Sequence, residues 1–176
     1  PESSGRITIS AAQMNVAIQP ANVIQPIQTL RLQSEPVTLN VRALPAPAPD
    51  GFTGLVGQYT PEIKVDRDSV AEGEAVIALL RIRGNGNPRL SAPPAFRVPD
   101  GLTSFDPVVK EEENFENGRE LVHAQTLEYV ISARKSGDWT CAPVFVWFDP
   151  DSSKYVTWSP EIRVKVSGQG NKDDSS

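Results

Sequence analysis

The residues best placed to do chemistry lie in short polar turns between apolar runs. Gly84-Asn85-Gly86-Asn87-Pro88 follows the run AVIALLRIR. A glycine-rich turn after a strand can cradle phosphate, provided that it opens a helix. A dinucleotide fingerprint needs a third glycine three residues after the second, and a P-loop ends in Gly-Lys-Ser or Gly-Lys-Thr. Here Gly86 is followed by Asn87, Pro88 and Arg89, with no helical pattern beyond. Asn and Gly tolerate positive φ, so the motif reads as a turn or bulge leaving a sheet. Asp149, Asp151 and Ser153 alternate as calcium ligands do, but the glycine and glutamate that complete a helix-loop-helix site are replaced by Lys154 and Pro160. Asp-Pro-Asp-Ser is ordinary hairpin chemistry instead.

His123 is the sole histidine, and no G-x-S-x-G elbow is present for it to serve. Cys141 is the sole cysteine, so it forms no internal disulfide; in the apolar setting TCAPV it reads as a small buried hydrophobe. The glutamate-rich run KEEENFENGRE, residues 110–120, reads as a solvated loop. No nucleophile–base pair and no metal-ligand spacing emerges, so the chain is expected not to be an enzyme and to carry no cofactor or metal.

One aromatic group invites a binding role. If Asp149 and Lys154 close a hairpin, Trp147 falls opposite Val156 and Phe145 opposite Trp158. Phe145, Trp147 and Trp158 then share one face, with Val144, Val146 and Phe148 on the other. Exposed, the three aromatics would be a site for a partner or a sugar. Turned inward, they would build a core.

The elements that must position these residues are strands. Val76, Ala78, Leu80 and Ile82 alternate with their neighbours, as do Leu127, Tyr129 and Ile131, Ile162, Val164 and Val166, and Ile63 and Val65. A period of two with one apolar face marks antiparallel strands that are half in a core. Turn residues separate them at 71–74, 99–101, 117–118, 136–138 and 149–152. About seven strands over this length suit an all-β, immunoglobulin-like antiparallel sandwich. The net charge of −5 over 176 residues argues against duplex nucleic acid, which needs clustered Lys and Arg. No apolar run approaches the roughly 20 residues of a membrane span, and no signal peptide is evident. The expectation is a soluble fragment from which any targeting parts have been removed.

An internal repeat is also visible. SGRITISAAQMNVAIQ (4–19) and SEPVTLNV (34–41) parallel SGDWTCAPVFVWFD (136–149) and WSPEIRVKV (158–166). The expected organisation therefore has four parts. Residues 1–44 are the C-terminal strands of a truncated upstream sandwich, and 45–51 a Pro/Ala linker. Residues 52–168 form a complete sandwich, and 169–176 a disordered tail. Strands 6–10, 13–18 and 37–41 of the first part lack a facing sheet, so they should pack on the complete domain or on a second molecule.

In order along the chain, FTGLVGQY (52–59), AEGEAVIALLRIRGNGN (71–87), VPDGLTSFDP (98–107), LEYVISARKSGDWT (127–140) and FVWFDPDSSKYVTWSPEIRV (145–164) resemble the BatD family of bacterial aerotolerance operons. The resemblance spans roughly residues 37–168. Cys141 and Ala142 stand where that family usually has Ile-Pro. It implies tandem immunoglobulin-like domains in the periplasm, anchored to the inner membrane by a C-terminal helix. It also implies von Willebrand A-type proteins and MoxR-type ATPases as partners, and it carries no catalytic residues. The functional expectation is a non-catalytic periplasmic protein-interaction module that scaffolds envelope or stress-tolerance complexes. The alternative is an adhesin or carbohydrate-binding sandwich that uses Phe145, Trp147 and Trp158.

Overall fold

Strand-forming residues punctuated by Pro and Gly give a chain with no helix among the described residues, which in the computed structural model are 4–18, 28–86 and 92–168. The tail 169–176 and the residues Asn87, Pro88 and Arg89 lie outside them. The chain falls into two compact units, Pro1–Pro47 and Ala48–Ser176.

The first unit is a long two-stranded ribbon. β1 (Gly5–Ile9) pairs antiparallel with β4 (Val37–Val41), and β2 (Gln13–Ile18) with β3 (Gln28–Gln33). The polar strand β3 was not foreseen, since QTLRLQ has two apolar residues among six. Between the two paired segments Pro36 has no N–H to donate. There the Ser34 N–H donates to the Ala12 carbonyl at 2.9 Å, and the Ala12 N–H donates to Ser34 Oγ at 2.9 Å. Almost every residue of the ribbon is exposed.

The second unit is a sandwich of two sheets. In one, β6 (Tyr59–Val65) pairs with β8 (Ala75–Gly84), β8 with β12 (Glu120–Ala133), and β12 with both β10 (Leu102–Ser104) and β11 (Val108–Asn117). In the other, β13 (Gly137–Asp149) pairs with β14 (Lys154–Trp158) and β15 (Ile162–Ser167). β9 (Ala95–Arg97) and a parallel β5 (Phe52–Val56) also join β13, and β7 (Ser69–Ala71) runs parallel to β15. This is the immunoglobulin arrangement: A, B, E and D in one sheet, C, F and G in the other. β6, β8, β12 and β10/β11 take the first four places, and β9, β13 and β14/β15 the last three.

The alternations in the sequence select the core. Leu80, Ile131, Tyr129, Val164 and Phe145 all point between the sheets and are almost fully buried. Tyr129 donates its hydroxyl to the Pro94 carbonyl at 2.7 Å, so the one polar atom brought in is satisfied. The acidic run is a correction to the sequence reading. It is the strand β11, bulged between Val109 and Glu111 and paired with β12, because the Asn117-Gly118 turn folds it back. Its glutamates are exposed on an edge strand, where charge discourages pairing with other chains.

All three tryptophans, Trp139, Trp147 and Trp158, lie in the second unit. Deletion of residues 1–44 should therefore leave the cooperative unfolding transition seen by tryptophan fluorescence in place. Loss of that transition would show that the sandwich depends on the ribbon.

Candidate interaction surface

The aromatic group forms in the expected register, with Trp147 opposite Val156 and Phe145 opposite Trp158. Its direction corrects the reading as an exposed patch. Phe145 is 0% and Trp147 7% exposed, and Trp158 packs against the same core. The Phe145 and Trp147 rings stack at 4.8 Å, and Tyr59 meets both edge-on at 6.0 and 6.3 Å. The opposite face of β13 is covered as well. There the Tyr155 ring packs edge-on to Phe52 and Phe148, while β5 pairs beside β13 in the same sheet and Thr53 donates its hydroxyl to the Val146 carbonyl at 2.7 Å. A partner or sugar could reach Phe145 and Trp147 only by opening the sandwich.

The glycine motif serves this packing. A Cβ on Gly84 would fall on the Tyr59 ring and the Gln58 carbonyl, and one on Gly86 would fall on the Val56 carbonyl and the Tyr59 hydroxyl. Asn85 fastens the same contact, since its N–H donates to the Gln58 carbonyl and its Oδ1 accepts the Gln58 N–H at 2.9 Å. The motif is thus a clamp that lets β8 lie close against the start of β6. Burial pushes the Tyr59 phenol up to about 12.

The other candidates also hold structure. The Asp149 carboxylate accepts the Ser152 hydroxyl at 2.8 Å and the Asp151 N–H at 3.0 Å, which holds it below the usual carboxylate range and fixes the hairpin tip. The Asp151 carboxylate accepts a hydrogen bond from the Gln58 side chain, tying that tip to the glycine clamp. Nδ1 of His123 lies 2.8 Å from Asn114 Oδ1. Donation from Nδ1 makes Nε2 the lone-pair nitrogen, and Nε2 is buried without a partner among the described residues. Cys141 is buried, and burial pushes its thiol up to about 11.

One surface that the sandwich leaves available is the outer face of the β6–β8–β12–β11 sheet. The register places Glu62 opposite Arg81 and Thr60 opposite Arg83. Across the sheet, Arg81 pairs with Glu113 at 2.8 Å and Lys110 with Glu128 at 3.2 Å. The Arg83 guanidinium lies 5.0 Å from the centre of the Phe115 ring. A shallow groove of about 550 Å³ runs over this end of the sheet, with Gln58, Tyr59 and Asn85 on one side and Asn117 and Glu120 on the other. No motif signalled this surface, because it forms only when β11 folds over β12.

Residues 63–171, more than half of the chain, match the BatD DUF11-like domain. The chain belongs to the BatD family. No curated protein and no solved structure matches it. The BatD match begins inside β6 and runs through the whole of β7 to β15, so Phe52–Val56 and the ribbon lie before it.

Two outcomes test this site. Gly86→Ala should destabilise the sandwich by about 1–3 kcal/mol, because the added methyl must displace Tyr59 or the Val56 backbone; an unchanged melting temperature would contradict the clamp. Cys141 supplies a pH test. Its folded value lies above the ordinary 9.0, so its contribution to stability is full below pH 9 and lost as pH rises towards 11. Chemical denaturation across that range should show a decline that is shallower in Cys141→Ala.

Proposed function

We propose that this BatD-family chain is a non-catalytic, periplasmic protein-interaction module of a membrane-anchored protein. It scaffolds envelope or stress-tolerance complexes with von Willebrand A-type proteins and MoxR-type ATPases. The observation that carries the reading is the BatD domain match, which covers the whole sandwich from β7 onward. The polar turns support it by their engagements: Asp149 holds a hairpin tip and Gly84-Asn85-Gly86 clamps two strands.

The contact face we assign is the outer surface of the β6–β8–β12–β11 sheet. Arg83 is its anchor, because the Phe115 ring holds the guanidinium in place and reduces the entropy lost on binding. Arginine is also among the residue types that dominate measured interface energies. The carbohydrate-binding alternative rested on Phe145, Trp147 and Trp158, and the burial of the first two leaves it without a surface.

Affinity capture by the full-length protein tests the proposal, with purified von Willebrand A-type and MoxR-type operon proteins as the probes. Retention of at least one is expected, and Arg83→Glu should weaken it tenfold or more, about 1.4 kcal/mol, without lowering the melting temperature. Retention of neither would refute the function. Retention indifferent to Arg83→Glu would refute the face.

A further inference from the structure

Asparagine precedes glycine at two places in the chain, Asn85-Gly86 and Asn117-Gly118. In this dipeptide the side-chain amide is open to attack by the following backbone nitrogen, because glycine has no side chain to shield it and little to restrict its rotation. Both asparagines are exposed, so exposure does not separate them. Engagement does.

Asn85 is held by backbone and side chain alike. Its N–H donates to the Gln58 carbonyl at 3.2 Å, and its Oδ1 accepts the Gln58 N–H at 2.9 Å. Gly86 is packed as tightly, since a Cβ on Gly57 would fall 2.8 Å from the Gly86 nitrogen. For that nitrogen to reach the Asn85 side chain, the clamp has to open.

Asn117 stands at the other extreme. It pairs with Glu120, which leaves Gly118 and Arg119 as a two-residue loop. The φ of Gly118 is +67° and that of Arg119 is not positive, as in a type II′ turn. Among the described residues no hydrogen bond engages the Gly118 N–H or the Asn117 side-chain amide. A Cβ on Gly118 would meet nothing within 4 Å, so the tip can flex without disturbing its surroundings.

We propose that Asn117-Gly118 is a self-modification site, at which Asn117 converts to aspartate and isoaspartate while the chain stays folded. The Gly118 amide nitrogen gives up its proton to solvent and attacks Cγ of Asn117. The bond from Cγ to the side-chain nitrogen breaks, and that nitrogen leaves as ammonia. Water then opens the cyclic imide. Opening at Cγ restores the main chain and leaves an aspartate; opening at the backbone carbonyl routes the main chain through Cγ as isoaspartate. One water is consumed and one ammonia released, with no change of oxidation state.

The position gives the conversion a consequence. Asn117 lines the groove on the outer sheet face together with Arg83 and Glu120. A carboxylate at 117 faces Glu120, its cross-strand partner, and like charges so placed weaken the end of the hairpin. Isoaspartate also lengthens the main chain and disrupts the register there. The groove therefore gains negative charge as the molecule ages, independently of any partner.

Peptide mapping by mass spectrometry tests the proposal, on the intact chain held at neutral pH with and without urea. In the folded chain Asn117 should convert about tenfold or more faster than Asn85, whose reaction waits for the clamp to open. In urea the two rates should converge, because the same dipeptide then sits in an unfolded chain. Isoaspartate should accompany aspartate at 117, since direct hydrolysis of the amide yields aspartate alone. A folded chain in which Asn117 stays intact would overturn the proposal, whatever happens in urea. Equal conversion of Asn85 and Asn117 in the folded chain would overturn it too, as would aspartate without isoaspartate.

Discussion

The burial of β13 on both faces is the constraint to which the rest of the sandwich answers. From Pro143 to Phe148 every residue is buried, which a strand in a two-layer sandwich achieves only if something covers its outer side. Phe145 and Trp147 point into the core, and Val146 and Phe148 point the other way, where the Tyr155 ring packs on Phe148 and Phe52. Four other strands hydrogen-bond to this one: β5, β9, β14 and β15. Each fully buried large side chain contributes roughly 1.5–3 kcal/mol by removal from water, so six such residues in succession outweigh any single surface ion pair of the domain.

That arrangement divides the molecule's functional possibilities. Tyr59 has to reach the Phe145–Trp147 stack from the opposite sheet, and the backbone of β8 must come close to let it do so. Gly84 and Gly86 supply that approach, which is why a motif suggestive of phosphate binding ends as packing. The aromatics are committed inward, and the polar turns are committed to hydrogen bonds of their own. A charged outer sheet face with an arginine held on a phenylalanine stays open to solvent.

Much of the fold was legible in the sequence, and the legible parts share a cause. The alternations at 76–82, 127–131 and 162–166 reflect strands with one face in the core, so period two survives in the residue types. The register of Phe145 with Trp158 followed from closing a hairpin between Asp149 and Lys154, a local event. The parts that escaped depend on distant chain. Nothing in FTGLV announces a parallel partner more than ninety positions away in Val146, yet that pairing occupies the edge of β13 and brings the Phe52 ring against Tyr155. The glutamates of β11 hid a strand because charged residues on an exposed edge obey no hydrophobic pattern. The direction of the aromatic face was undecidable locally for the same reason: both faces of residues 143–148 are apolar, and only the facing sheet, with Tyr59, distinguishes inside from outside.

If β13 is the spine, its amides should be the last to exchange with solvent. Hydrogen exchange of the intact chain, followed by mass spectrometry, gives the most direct reading. The account predicts that peptides covering residues 141–148 exchange only through global unfolding, more slowly than those from β6, β10 or β11. Exchange of 141–148 through local opening, at rates like those of the β11 edge, would contradict it.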